Sequence, residues 1–326
     1  MTAVPTTLPV IGEGSLVGDD GKGEKPRLHP PAMVEEVLAL LRVRELPAPR
    51  CADLTVGTGG HALAILSANP QAQLIGLDRD PQSLEVAKKR LAPFSDRCHL
   101  FHADMGSLRE CLKQVGWNEL DGCLIDPGLS LWQIDSGRGF SFFDSSLDMR
   151  YDPTKGPTAG QILQQCSPHR LEEAFKEAGE TPAMARRITQ AIVQERRHRK
   201  VWTARDLSDL IASIKTRKPA HLHPATFCFM ALRILVNEEK EALRNGLETA
   251  LLSVRPGGRV LVLCYQSIED RVVKGLMRDW SRLHPDVPIR ALIKKPLRPT
   301  AAERLTNPRS RSARLRAFER SGEGGV

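Results

Sequence analysis

"CADLTVGTGGHALAIL" (51–66) reads as a short apolar run, a glycine-rich turn and the opening of a helix. Glycines at such a turn let a ligand come up against the main chain, because no Cβ stands in its way. Gly57, Gly59 and Ala62 satisfy the spacing G-x-G-x-x-G/A. Alone, that match is weak: the turn suits NAD, FAD or the methionyl end of S-adenosylmethionine (SAM). The rest of the chain decides among them.

Outward from this stretch the chain alternates between strand and helix. Apolar runs at 51–56, 72–78, 98–104 and 120–126 are expected as strands, and "GHALAILSA", "DPQSLEVAKKRLAPF" and "GSLRECLKQVGW" as the intervening helices. In the second helix Asp80 is placed to cap and Pro81 suits the first turn. Short strands separated by helices imply right-handed crossovers and a parallel sheet covered on both faces. From about Gln133 to Pro219 the pattern is helical, with Leu171, Ala174, Phe175 and Ala178 forming one apolar stripe. A long helical stretch, "HPATFCFMALRILVNEEKEALRNGLETALLSV" (223–254), then leads back to the sheet. There "RPGGRVLVLCYQ" (255–266) reads as a turn and a buried strand, and "IRALIKK" and "SARLRAFER" as closing strands. The expected fold is therefore α/β and Rossmann-like, with an inserted helical subdomain. Its parts are a flexible tail at 1–24, a discontinuous sheet domain at 25–132 and 221–326, and a helical insertion at 133–220.

The 326 residues carry a net charge of +8 and a pI near 9.3. Ten Lys/Arg stand against two Glu between Arg290 and Arg320, and "ERRHRK" (195–200) forms a second basic cluster. Two such runs point to a polyanion, with nucleic acid as the leading class, because phosphate neutralisation releases counterions. The seven cysteines include no C-x-x-C pair, and several sit in apolar runs as small hydrophobes. No structural zinc or other metal is expected. The N-terminus lacks a basic segment followed by an apolar one, and no stretch has the length of a membrane span, so a cytoplasmic location is expected.

In an open parallel sheet, ligands bind beyond the carboxyl ends of the strands. The second strand ends at Asp78, twenty-one residues after Gly57, where a carboxylate can accept hydrogen bonds from both ribose hydroxyls. The third ends at Asp104 and Met105, near an expected adenine, although an acid there is as readily a plain helix cap. The fourth delivers Asp126. Dehydrogenases share the glycine turn and the ribose acid. "IDPGLS" (125–130), however, places an acid and a tight turn where amino-group methyltransferases carry D/N-P-P-Y/F, and "RPGGRVLVL" resembles the entry to the fifth strand of SAM-dependent methyltransferases.

Longer strings narrow the class. "DLTVGTGGHA", "GLDRDPQSLEVA", "DGCLIDPGLSLWQID", "RGFSF", "LDMRYD", "AGE", "HPATFCFMALRILVNEE", "RPGGRVLVLCYQSIEDRVVK" and "NPRSRSARLR" follow in this order from about His29 to Glu319. They closely resemble the bacterial RsmH (MraW) family, SAM-dependent methyltransferases that modify the exocyclic N4 amine of a cytidine in 16S ribosomal RNA of the small subunit. The resemblance implies a Rossmann-like domain interrupted by a helical recognition domain. It also implies SAM contacts at Gly59, Gly60, His61, Asp78, Met105, Asp126 and Gln133. Departures from the family pattern fall at Met105, Pro127, Phe227, Met230 and Gln266, which keeps open a divergent paralogue that acts on, or only docks to, another RNA.

Asp126 is the candidate catalytic acceptor, with a purely structural or cofactor-binding role as its alternative. Trp132 and Phe140 are placed to stack on an unstacked base, or to serve as packing anchors. Arg138 and Arg150 are candidates for phosphate contacts, with ion pairs to Asp135, Asp148 or Asp152 as the simpler alternative. Arg309, Arg311, Arg314 and Arg316 are candidates for a wider grip on RNA. Cys123 and Cys264, inside strands, are not expected to act as thiolates. The residues leave monomer and homodimer equally open.

Overall fold

The computed structural model describes residues 30–215 and 222–322; the tail at 1–24 and the boundary at 220/221 lie outside them. The described chain divides into two compact units, residues 30–128 with 240–322, and residues 129–215 with 222–239. Residues 129–132 and 222–239, assigned from the sequence to the sheet domain, thus cluster with the helices.

The first unit is built on seven strands: β1 (Arg50–Asp53), β2 (Gln73–Asp78), β3 (Cys98–His102), β4 (Leu120–Ile125), β5 (Val254–Cys264), β6 (Ile289–Ala291) and β7 (Arg314–Arg320). Their order is β3-β2-β1-β4-β5-β7-β6. Strands β1 to β5 pair in parallel, whereas β7 runs antiparallel to both β5 and β6. The order reverses between β1 and β4, which opens the crevice of a doubly wound sheet at their carboxyl ends. Side chains alternate faces with the period of two that strands impose. Ala52, Ile75, Leu77, Cys123, Ile125, Val260 and Val262 enter one buried layer. Cys51, Leu74, Leu124, Leu261 and Leu263 enter the other. Both faces being covered explains why these strands read as continuous apolar runs.

Local chemistry sets the helix starts. Asp80 accepts the Gln82 N–H and Pro81 occupies the first turn of Pro81–Leu91. The "RPGG" segment is no turn ahead of β5 but part of that strand. Leu120 pairs with Val254 and Gly122 with Arg259, so Arg255–Gly258 bulge out of register, with Gly257 at φ +78°. The sequence reading also passed over two short helices, Val34–Leu40 and Ala301–Thr306.

The second unit contains helices Leu131–Ile134, Ala159–Gln165, Pro168–Ala178, Pro182–Glu195, Ala204–Ile214 and Thr226–Asn237. Thr158, Ser167, Thr181 and Thr203 each accept a main-chain N–H at a helix start. Leu171, Phe175 and Ala178 are buried, with Ala185, Ile188 and Ile192 of the next helix and Cys228, Phe229 and Leu232 of the last; Ala174 is half-buried. The long stretch at 223–254 is two helices rather than one. Glu238, at φ +49°, breaks it between Asn237 and Glu239. Lys215 is buried, donating to Glu180 and to the Pro224 carbonyl.

Candidate active site

The glycine turn follows β1, with Gly57 at φ +51° and Gly59 at φ +83°. Gly59 precedes the helix Gly60–Ala68, and a Cβ on it would lie 3.3 Å from Leu91. Positive φ and that close neighbour make glycine the residue that fits there. The result is a helix N-terminus, the usual seat for a carboxylate or phosphate.

Asp78, at the end of β2, holds the turn directly. Its Oδ2 accepts the Gly57 N–H at 2.7 Å and its Oδ1 the Asp80 N–H at 2.8 Å. Burial raises its pKa to about 6, against the opposing pull of those two bonds. Asp53, inside β1, is almost fully buried, and burial pushes it to about 7, partly countered by His61.

His61 and Asp126 meet at the centre of this crevice. His61 Nδ1 lies 3.3 Å from Asp126 Oδ2, and its Nε2 lies 2.8 Å from the Ala32 carbonyl oxygen. Asp126 N–H donates to Thr55 Oγ1 at 2.7 Å, tying the end of β4 to the segment after β1. Asp126 Oδ1 is buried and has no hydrogen-bond partner among the described residues. The imidazole of His61 is thus committed to Ala32 and Asp126, leaving its main chain to serve the turn.

Two further candidate cofactor contacts have other engagements. Met105, expected beside an adenine, is only 7 % exposed and packs on Gly246, where an added Cβ would lie 2.5 Å from its own. Gln133, in the second unit, forms a capping box with Ser130, its Oε1 accepting the Ser130 N–H at 3.0 Å. Asp104 stands at the N-cap of the short turn Met105–Ser107 without a side-chain capping bond, and it pairs with Arg79 at 3.1 Å.

Several candidate RNA contacts are spent inside the protein. Arg150 grips Asp148 with two bonds of 2.7 and 2.8 Å, and that pairing raises its pKa. Arg138 donates to Ser136 and to the carbonyls of Arg150 and Tyr151. Phe140 is buried, stacked on Tyr151 and lying under Arg138, so it is a packing anchor. Arg316 pairs with Asp270 at 2.6 Å with 14 % of its side chain exposed. Arg150 and Arg316 are thus paired with acids, Arg138 is engaged with neutral acceptors and Phe140 is packed inside, so the structure gives each of the four a role within the protein. Trp132 stays half-buried, its Nε1 buried and without a partner among the described residues. Arg311 is exposed, and Arg309 and Arg314 partly so. In the basic cluster, Arg196 and Arg199 are likewise engaged, leaving Arg197, His198 and Lys200 exposed.

Of the departures from the family pattern, Met105 and Met230 are buried, while Pro127, Phe227 and Gln266 are half-buried. Phe227 packs against Gly179 with Lys215 over its ring. Glu269 accepts the Tyr265 and Gln266 N–H groups at 2.6 and 3.0 Å, so Gln266 sits in a helix start. Cys123 and Cys264 are buried, and burial pushes both thiols well above the ordinary range. Sequence reasoning missed Tyr265, whose phenol faces Asp126; burial, then that carboxylate, hold its ionisation well above the usual range. No helix among the described residues is long and apolar enough to cross a membrane.

Comparison with known proteins gives the family of the chain. The model of the MraW methylase family matches residues 27–321. The "Ribosomal RNA small subunit methyltransferase H" of Lawsonia intracellularis is 41% identical over 312 residues, covering 90% of this chain and 99% of its own. The protein of the same name from Cutibacterium acnes is 43% identical over 316 residues, covering 92% and 94%. A solved rRNA methylase from Streptococcus thermophilus aligns with 87% of this chain and 95% of its own, at a TM-score of 0.40 and 10% identity, too distant to carry an argument. With the match spanning nearly its whole length, the chain belongs to the MraW methylase family.

Proposed function

We propose that the protein transfers a methyl group from SAM to the exocyclic N4 amine of a cytidine in 16S ribosomal RNA of the small subunit. The observation that carries this is the 3.3 Å approach of His61, in the glycine turn, to Asp126, the acid that ends β4. It puts a candidate amine acceptor beside the turn that would hold the cofactor.

The residues present fit SAM. The positive-φ turn and helix start suit its amino-acid end, and Asp78 suits its ribose hydroxyls. The buried, unpartnered Oδ1 of Asp126 suits a hydrogen-bond donor. When bound, SAM supplies an electrophilic methyl carbon on a sulfonium. The protein's work is then alignment of the acceptor. The cytosine amine is a poor nucleophile because its lone pair is shared with the ring, and the base must leave its stack to be reached. Asp126 Oδ1, accepting from the amine, favours the tetrahedral nitrogen that can attack.

The test incubates the purified protein with small subunits from a strain lacking the modification and with methyl-labelled SAM. Label enters 16S RNA with the native protein, and Asp126→Asn reduces turnover at least tenfold while RNA affinity changes less than threefold. SAM binding without any transfer would overturn the reading in favour of a docking protein. Full turnover by Asp126→Asn would remove the carboxylate from the reaction.

A further inference from the structure

His61 has two ring nitrogens and two acceptors. A carbonyl oxygen only accepts, so the Nε2 that lies 2.8 Å from Ala32 O carries a hydrogen. A neutral imidazole has no second N–H, and its Nδ1 lone pair would then face Asp126 Oδ2 at 3.3 Å. One further proton, shared along that contact, turns repulsion into an ion pair. The pair is enclosed: His61 is 5 % exposed and the Asp126 side chain 19 %. Low exposure strengthens a charge contact and discourages exchange with water.

Other titratable groups face the pair. Asp53 of β1, raised to about 7 chiefly by burial, adds a second carboxyl toward His61, and Asp78 at the end of β2 raises Asp53 further, which favours its neutral form. From the end of β5, Tyr265 faces Asp126 as a neutral phenol. Burial works against the imidazolium, but the Asp126 bond and charge, Asp53 and the Ala32 carbonyl outweigh it, so His61 titrates above its ordinary value.

We propose that His61 is a positioning residue that acts as an imidazolium. Clamped between Ala32 O and Asp126 Oδ2, it fixes the carboxylate, with the Tyr265 hydroxyl as its second hydrogen-bonding neighbour, so that Oδ1 is presented to the substrate amine. The proposal rests on the methyl-transfer reading. In the transfer, the N4 lone pair forms the new bond to carbon while the carbon–sulfur pair stays on sulfur. The excess N4 proton passes to Asp126 Oδ1. Above the pKa of His61 the clamp is lost: the Nδ1 lone pair repels Oδ2 and the carboxylate is free to turn.

Two measurements test it. The first needs no substrate: 15N NMR of histidine-labelled full-length protein from pH 5 to 10, with His61 assigned from the spectrum of His61→Asn. The expected result is a midpoint above 6.5, both ring nitrogens protonated below that midpoint, and a fall of at least one pH unit in Asp126→Asn. A midpoint at or below 6.5, or one indifferent to Asp126→Asn, would overturn the proposal. The second is the pH profile of kcat at saturating SAM and RNA. Native turnover falls on the alkaline side with the NMR midpoint. His61→Asn, which keeps an amide donor but no titration, is about tenfold slower at pH 7 and lacks that limb. Its Kd for SAM stays within threefold of native. Superimposable profiles would show a purely structural histidine. Absence of any transfer by native protein would instead defeat the methyl-transfer reading, while the NMR result still decides the charge of His61.

Discussion

Replacing Asp78 with alanine removes the group that ties the glycine turn to β2. Its carboxylate accepts two main-chain N–H bonds, to Gly57 and Asp80. It is also the acid from which ribose hydroxyls would be held. A hydrogen bond to a charged group contributes about 1.5–3 kcal/mol. Losing the ribose contacts, with the turn loosened as well, is expected to cost about 3 kcal/mol of SAM binding, or roughly 150-fold in Kd. Titration calorimetry with SAM at pH 7.5 reads this directly. The raised pKa of about 6 adds a second signature, because only the carboxylate accepts from both hydroxyls. Between pH 7 and pH 5 the ionised fraction falls about tenfold, and the native Kd should rise by about that factor. In Asp78→Ala this dependence is absent. An affinity within threefold of native, or an unaltered pH dependence in the variant, would refute the ribose role and the coupling of Asp78 to the turn.

Other perturbations probe the fold and the charged surface. Gly59→Ala forces a Cβ into φ +83° beside Leu91 and should cost about 1–2 kcal/mol in urea unfolding; a loss under 0.3 kcal/mol would contradict the turn geometry. Asp53→Asn removes a carboxyl whose pKa burial raises to about 7. Because the folded form holds that proton more tightly than the unfolded chain, its contribution is full below pH 4 and lost as pH rises through 7. The variant should therefore gain Tm relative to native at pH 8 and show a flatter Tm against pH; equal slopes would refute the assignment. Arg311→Ala should weaken RNA binding and lower the salt slope of log K by about 0.7–0.9. Arg316→Ala should leave that slope unchanged but lose about 1–3 kcal/mol of stability by leaving Asp270 with Lys274 as its remaining cationic partner. The reverse outcome would restore Arg316 to the RNA surface.

What the sequence disclosed, and what it hid, follows from the range of the interactions. Apolar runs and caps are local, so β1 to β5 and the Pro81–Leu91 helix stand close to where periodicity put them. The helix break at Glu238 was invisible because a glutamate in the left-handed region carries no compositional sign. The bulge at Arg255–Gly258 exists only by reference to β4. The spacing of Asp78 from Gly57 is visible in the sequence, whereas the hydrogen bond between them is not. Arginines were the hardest to read. Arg150 pairs with an acid two residues away, while Arg316 pairs with Asp270 across forty-six, and a count of basic residues cannot separate either from a phosphate contact. The contact of His61 with Asp126 spans sixty-five positions and arises only when β4 lies beside β1.

The most direct test of the central claim is nucleoside mass spectrometry of 16S RNA from small subunits methylated in vitro by the purified protein. A single new N4-methylcytidine is expected, absent when SAM is omitted. Methylation found instead at C5 of the base or at a ribose 2′ oxygen would contradict an amine acceptor, and with it the role given to Asp126.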